Sequence, residues 1–182
     1  MIIEDLILIR KIQNGDKQAL DKLIRLYYED VFSLCFYRCG NDDLAADLCQ
    51  ESFVKLIRNI YQYKPSGKFR NYLYTITLNV ISDYYRKQKT ETVSLDEYEI
   101  VNSHVDPDQL TIEEKETLRQ YICCLSEAQK NVILLYYYHG LRIKEIAKIL
   151  NTNESTVKSR LFQAIKKLKE KYEEEKTWDS NK

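Results

Sequence analysis

The sequence predicts an all-α fold in which a flexible acidic linker joins two small helical domains, the C-terminal one a helix-turn-helix. Three observations support this prediction. The 182 residues include only 4 glycines and 2 prolines, which favours long helices with few interruptions. Apolar residues recur at intervals of three and four, the period of one helix face. Strand-type alternation does not stand out in any segment.

Four helices are predicted in the first part of the chain. Three turn-forming segments interrupt the helical spacing of apolar residues, at Gly15-Asp16, Gly40-Asn41 and Lys64-Pro65-Ser66-Gly67. The third helix runs from residue 42 to about residue 60. Residues 1–89 are therefore assigned to an N-terminal domain, whose length is within the usual range for one domain.

An acidic segment without clear periodicity follows the fourth helix. Residues 88–117 hold nine acids and two lysines, a net charge of −7, and include Asp106-Pro107-Asp108. We interpret residues 90–110 as a linker. The second helical domain is predicted over residues 111–172, and residues 173–182 are predicted to form a disordered tail.

Charge is segregated along a chain whose formal net charge is +0. Residues 142–171 carry nine bases and three acids, and residues 61–89 carry six bases and one acid. Two separate basic segments indicate a polyanionic partner. No apolar run approaches the roughly 18 residues of a membrane helix, so no membrane insertion is expected.

The types of residue that carry catalytic or metal chemistry are few and scattered. The five cysteines (Cys35, Cys39, Cys49, Cys123 and Cys124) lack neighbouring histidines, and we predict that they are buried free thiols in a reducing cytoplasm. A Gly-rich phosphate loop and a Ser/His/Asp constellation are both missing from the sequence. We therefore expect no metal, no cofactor, no catalytic residue and no enzymatic activity.

The helix-turn-helix is predicted from its caps and turns. Ser126 can begin the first helix, with Gln129 at the position of a capping box. His139-Gly140 ends that helix, and a short amphipathic helix follows. Asn151 can adopt the left-handed conformation of a tight turn, and Asn153 is suited to cap the last helix.

The last helix has one apolar and one polar face. Val157, Leu161 and Ala164 share the apolar face, which we expect to pack on the domain. The opposite face offers hydroxyl and amide groups that can contact base edges, with cations at its margins for phosphates, which indicates duplex DNA. The outward residues are Ser155, Ser159, Phe162, Gln163 and Lys166, flanked by Lys158 and Arg160.

Residues 61–89 interleave aromatic and basic side chains. Single-stranded nucleic acid is bound in this way, because cations follow the backbone while flat rings stack on bases. Tyrosines at helical spacing are also typical of half-buried core positions, and both interpretations stay open for Tyr72, Asn79 and Asp83.

Four motifs in order resemble those of the extracytoplasmic-function (ECF) group of bacterial sigma factors in the sigma-70 family. They lie at Gly15-Asp16-Lys17-Gln18-Ala19-Leu20, at Asp47 to Leu56, at Phe69 to Ile76 with Asn79, Asp83 and Arg86, and at Glu145-Ile146-Ala147 with Ser155 to Leu161. Arg142 departs from the pattern, since the family usually has a Ser or Thr helix cap there.

The resemblance implies a function in transcription initiation. A sigma factor binds core RNA polymerase and carries it to promoter DNA, and many relatives are regulated by an anti-sigma factor. The implied polymerase contacts are Asp47, Gln50, Glu51 and Phe53. The implied −10 contacts are Tyr63, Lys64, Lys68, Phe69, Arg70, Tyr72, Asn79, Asp83 and Arg86. The implied −35 contacts are Ser155, Thr156, Lys158, Ser159, Arg160, Phe162, Gln163 and Lys166.

The alternative from another functional class is a transcriptional repressor or activator that binds duplex DNA by its helix-turn-helix alone. The N-terminal domain would then sense a ligand or dimerise. Residues 47–56 and the basic aromatic segment have no natural role in that interpretation.

Overall fold

A computed structural model of the chain describes residues 2–64, 68–91 and 121–179, and the side chains of residues 4–64, 68–88 and 121–173. The chain is all-α and divides into two compact units, Met1–Ser103 and His104–Lys182. Most of the predicted linker, residues 92–110, lies outside the described residues. The Pro65-Ser66-Gly67 part of the predicted loop also lies outside them.

The described part of the first unit, residues 2–64 and 68–91, consists of four helices. They are α1 (Ile2–Gln13), α2 (Lys17–Cys39), α3 (Asp42–Ile60) and α4 (Phe69–Glu91). Helix α2 packs against the other three. Its Leu23 and Leu34, together with Leu56 of α3 and Leu73 of α4, are fully buried in the shared core.

Two of the three predicted turns of the first unit, at Gly15-Asp16 and Gly40-Asn41, are confirmed by their backbone geometry. Gly15 and Gly40 have φ of 90° and 71°, the left-handed region where a glycine costs least. The helices that follow are each capped by the next polar residue. The Asp16 carboxylate accepts from Ala19 N–H at 3.0 Å, and the Asn41 side chain accepts from Leu44 N–H at 2.8 Å.

The second unit contains α5 (Glu127–Ile133), a π-helical turn (Leu134–Tyr138), α6 (Ile143–Ile149) and α7 (Glu154–Asp179). The Gln129 half of the predicted capping box and the predicted Asn153 cap are observed here. The Gln129 side chain accepts from Ser126 N–H at 3.0 Å, and the Asn153 side chain accepts from Thr156 N–H at 2.7 Å. Asn151 has a φ of 46°, as the tight turn between α6 and α7 requires.

Arg142 precedes α6 without a cap from its own side chain. Instead, the Glu145 carboxylate accepts from Arg142 N–H at 3.0 Å. One half of a capping box therefore begins this helix despite the missing Ser or Thr.

Two features of the second unit differ from the sequence prediction. The first helix ends in a π-turn, in which His139 N–H donates to the carbonyl of Leu134 at 3.0 Å. In addition, α7 continues through Asp179, whereas a disordered tail was predicted from residue 173. Glutamate and lysine have high helix propensity, and no glycine or proline interrupts this stretch, so the helix continues. Residues 180–182 lie outside the described range.

Candidate nucleic-acid and polymerase interfaces

A cavity of about 330 Å³ opens where the end of α3 meets the start of α4. Its wall includes the side chains of two tyrosines from the predicted −10 set, Tyr63 and Tyr72, whose ring centroids lie 4.7 Å apart. Tyrosine hydroxyls are neutral at physiological pH, and burial raises the pKa of both further, so both are available as hydrogen-bond donors. Among the described residues, Asn59, Gln62 and Lys64 also line the cavity.

Asn59 and Gln62 were not predicted as site residues. Both lie at the end of α3 or just after it, where the sequence shows ordinary polar residues of a helix terminus. Their only signal was proximity along the chain to the Lys64-Pro65-Ser66-Gly67 loop. Together with Tyr63, Tyr72 and Lys64 they give the cavity both flat apolar surfaces and hydrogen-bonding groups, which is the composition of a site for a planar polar ligand.

The position of Phe69 differs from its prediction as a −10 contact. Phe69 is 2% exposed, and its ring meets Tyr27 edge-on at 5.4 Å and Tyr63 at 5.7 Å. A side chain this deeply buried supports the cavity wall from behind rather than contacting a ligand. Aromatic pairs of this kind contribute about 0.5–1.5 kcal/mol beyond the area they bury.

The polar members of the predicted −10 set are distributed along α4 and the preceding loop. Lys64, Lys68, Asn79 and Arg86 are exposed, whereas Arg70 and Asp83 are partly buried. The Arg70 guanidinium lies 5.9 Å from the ring centre of Tyr74, a cation–π distance. Asp83 accepts from Arg86 at 2.8 Å and from Lys55 at 3.4 Å, so its charge is compensated in the free protein.

Helix α3 separates the predicted polymerase contacts into two groups. Asp47, Gln50 and Glu51 are exposed on one face, with Val54 beside them at 38% exposure. Phe53 is 6% exposed, and its ring stacks on Tyr28 with a centroid distance of 6.5 Å. The prediction of Phe53 as a surface contact is therefore wrong, because helical spacing places it with the buried residues of α3.

The two predicted faces of α7 are observed. Val157, Leu161 and Ala164 are buried, and Phe162 is 71% exposed. The other exposed members of the outward set are Ser155, Lys158, Ser159, Gln163 and Lys166, while Thr156 and Arg160 are partly buried.

The first turn of α7 is fixed by its cap. The Ser155 hydroxyl donates to the Asn153 side chain at 2.6 Å, beside the Thr156 N–H bond described above. The first turns of α7 thus present a polar surface around the exposed Phe162 ring, next to a capped helix start.

The cysteines are placed differently from one another. Cys35 and Cys49 are buried, as predicted, and burial raises the pKa of Cys49 to about 12. Cys39 is partly buried, whereas Cys123 and Cys124 are exposed. The prediction of burial is wrong for this pair because they face solvent between two buried neighbours, Ile122 and Leu125. Among the described residues, no group of three potential metal ligands is found, nor a helix that could cross a membrane.

Two family models match the chain, one in each unit. Residues 23–91 match "Sigma-70 region 2", and residues 115–168 match "Sigma-70, region 4". The ECF RNA polymerase sigma factor SigW of Bacillus subtilis is 31% identical over 173 residues, covering 88% of this chain and 92% of the relative. SigM of the same species is 31% identical over 156 residues, covering 85% of this chain and 95% of SigM.

Solved structures share the fold. CnrH, solved with the cytosolic domain of CnrY, has a TM-score of 0.72 at 20% identity, covering 93% of this chain and 97% of its own. The sigma factor RpoE from Bartonella quintana, solved with the anti-sigma factor NepR, has a TM-score of 0.70 at 21% identity. The match covers 82% of this chain and 94% of the RpoE chain.

Proposed function

Since the chain belongs to the ECF group of the sigma-70 family, we propose that it acts as an RNA polymerase sigma factor. It binds core RNA polymerase and directs it to promoters through their −35 and −10 elements. The observation that carries this proposal is the pairing of a region 2 match on the unit with the aromatic cavity and a region 4 match on the unit with the helix-turn-helix. A repressor that uses its helix-turn-helix alone leaves the region 2 match unexplained.

The N-terminal domain melts the −10 element and captures a base from the non-template strand. Removing a base from the duplex stack costs a few kcal/mol, which stacking of about 1–3 kcal/mol per base and hydrogen bonds in a pocket can offset. The cavity beside Tyr63 and Tyr72 supplies both kinds of contact, through its rings and through Asn59 and Gln62.

Cations near the cavity guide the separated strand. Lys64 is the first residue of the predicted loop and Lys68 directly follows it, and both are exposed. Arg86 and Asn79 extend the polar surface along α4. Since lysine and arginine neutralise phosphates without regard to sequence, this surface contributes affinity while the cavity contributes selectivity.

Helix α7 contacts the −35 element in the major groove. Gln163 and Ser159 offer groups for base edges, while Lys158 and Lys166 are placed for phosphates. Phe162 presents an apolar ring that suits a thymine methyl group.

The polymerase contact is assigned to the exposed face of α3. Asp47, Gln50 and Glu51 carry hydrogen-bond acceptors and negative charge, and the adjacent Val54 adds apolar area. A mixed surface of this kind matches a partner with complementary basic groups around a small apolar patch.

The remaining organisation follows from this function. Residues 1–89 form the −10 domain, residues 111–172 the −35 domain, and the acidic segment 90–110 links them. Because transcription takes place in the bacterial cytoplasm, we place the protein there. As a sigma factor, the chain has no catalytic activity of its own. An anti-sigma factor is included among its partners, supported by the similar RpoE chain solved with NepR.

Run-off transcription tests the proposal. The full chain is added to core polymerase on a library of promoter fragments, with core alone as the control. Specific transcripts that require the chain are expected. Failure to co-purify with core polymerase, combined with tight binding to an operator by the chain alone, would instead support the repressor alternative.

A further inference from the structure

Gln13, the last residue of α1, makes two hydrogen bonds to a distant part of the first unit. Its amide nitrogen donates to the carbonyl of Ile60 at 2.9 Å and to the carbonyl of Tyr63 at 3.0 Å. These acceptors lie 47 and 50 residues further along the chain. One side chain therefore ties α1 to the segment that forms the cavity wall.

The two carbonyls belong to the turn that follows α3. Ile60 is the last residue of α3, so no further helical turn supplies a donor for its carbonyl in the usual i+4 pattern. Tyr63 N–H also donates to the Ile60 carbonyl, at 3.2 Å. The Gln13 amide gives the Ile60 carbonyl a second donor and also donates to the Tyr63 carbonyl. The first and last carbonyls of the Ile60–Tyr63 turn are therefore both hydrogen-bonded to the same side chain.

Gln13 itself is held in a rigid position. The turn after it has the hydrogen bonds of a Schellman motif, from Gly15 N–H to the Ile12 carbonyl at 2.9 Å and from Asp16 N–H to the Lys11 carbonyl at 3.0 Å. The neighbouring Ile12 is 2% exposed. The amide thus reaches the carbonyls from a fixed backbone, and few conformations need to be lost to form the two bonds.

We propose that Gln13 is a positioning residue for the cavity that captures the −10 base. By fixing the carbonyls of Ile60 and Tyr63, it holds the Tyr63 ring beside Tyr72, where it can stack on a base. This inference rests on the proposed function of the cavity. Gln13 would not contact the base, and it acts only through the backbone of Tyr63.

The experiment compares two fork-junction templates bound by holoenzyme made from the full chain and core polymerase. Their promoter is one found in the run-off screen. One template keeps the captured base in the single-stranded −10 segment, and the other has an abasic site there. The ratio of the two affinities measures the cavity alone, because the phosphate charge is the same on both templates.

Two variants remove the double contact. Gln13→Met keeps the length of the side chain without donors, and Gln13→Asn shortens it so that it cannot reach both carbonyls. We expect wild type to prefer the intact base by about tenfold, as stacking on a ring predicts. In both variants the ratio should fall by about three- to tenfold, because the competent conformation of the wall is less populated.

Three controls separate positioning from a general loss of structure. Gln18→Met changes an exposed glutamine at the start of α2 and should leave the ratio unchanged. Affinity for core polymerase and for a duplex −35 fragment should stay within about twofold of wild type in every variant. Gln13→Lys retains N–H donors and should preserve most of the ratio.

The outcomes are distinct. A wild-type ratio near one would refute the cavity as a base site, and the role of Gln13 with it. A normal wild-type ratio that persists in Gln13→Met and Gln13→Asn would overturn the inference and leave the proposed function intact. A parallel loss of core binding, or an equal loss of the ratio in Gln13→Lys, would also overturn it.

Discussion

The neighbouring residues Leu161 and Phe162 of α7 allow the two faces of this helix to be tested with matched substitutions. Leu161 is 8% exposed and packs within the second unit, whereas Phe162 is 71% exposed. Both are large and apolar, and both can be truncated to alanine. Because they are adjacent, their side chains point in directions about 100° apart on the helix.

The expected magnitudes follow from burial. Leu161→Ala removes buried methyl groups and leaves a cavity, which costs about 2–5 kcal/mol of unfolding free energy. Phe162→Ala removes mainly solvated surface, so the free energy of unfolding should change by less than about 0.5 kcal/mol. If Phe162 contacts a base, its loss should cost about 1–3 kcal/mol of binding, or about 5- to 150-fold in affinity for the −35 element.

The assay combines urea unfolding of each variant with fluorescence-anisotropy titration of holoenzyme onto a −35 duplex. Phe162→Ala should bind weakly while unfolding at the wild-type urea concentration, and Leu161→Ala should unfold earlier. A Phe162→Ala variant with wild-type affinity would refute the assignment of the outward face. A loss of stability in Phe162→Ala comparable to that of Leu161→Ala would also refute this assignment.

Further predictions concern polymerase binding, phosphate contact and pH. Asp47→Lys combined with Gln50→Ala should weaken core-polymerase binding at least tenfold in a pull-down titration, whereas the exposed control Asp21→Lys should not. Lys158→Ala should weaken binding to all duplex sequences alike and lower the slope of log affinity against log salt by about 1. Burial raises the pKa of the Asp5 carboxyl above its usual 3.8. The free energy of unfolding of the wild-type chain, compared with that of Asp5→Asn, should therefore fall as the pH rises from 3.8 through the folded-state pKa. Urea unfolding of both proteins at several pH values measures this difference.

Caps and turns were the part of the fold that the sequence predicted best. A glycine with positive φ or an asparagine at a helix start acts through its own backbone and the next three residues, so its effect can be read locally. Gly15, Gly40, Asn151 and Asn153 all have the predicted role. At the start of α6 the usual Ser or Thr cap is missing, and Glu145 replaces it from three residues away, a substitution that the sequence analysis did not identify.

Tertiary arrangement was beyond such local reasoning. The aromatic segment left core and surface roles open, and only packing against Tyr27 and Tyr63 decides that Phe69 is core. The cavity also depends on Asn59 and Gln62, whose types carry no special signal until α3 and α4 meet. The contact of Gln13 with a segment 50 residues away could not be derived from any periodicity.

The burial of Phe53 and Phe69 has a consequence for mapping the interfaces by mutation. Truncating either ring to alanine should cost about 3–5 kcal/mol of stability, a large share of the 5–15 kcal/mol typical of a domain. Such variants would lose polymerase or promoter binding through unfolding, and the loss would resemble a lost contact. Only side chains that folding leaves exposed, such as Glu51 on α3 or Lys68 before α4, can report a contact directly. Although the family motifs include Phe53 and Phe69, alanine substitutions at these two positions are therefore poorly suited to map the polymerase and promoter interfaces.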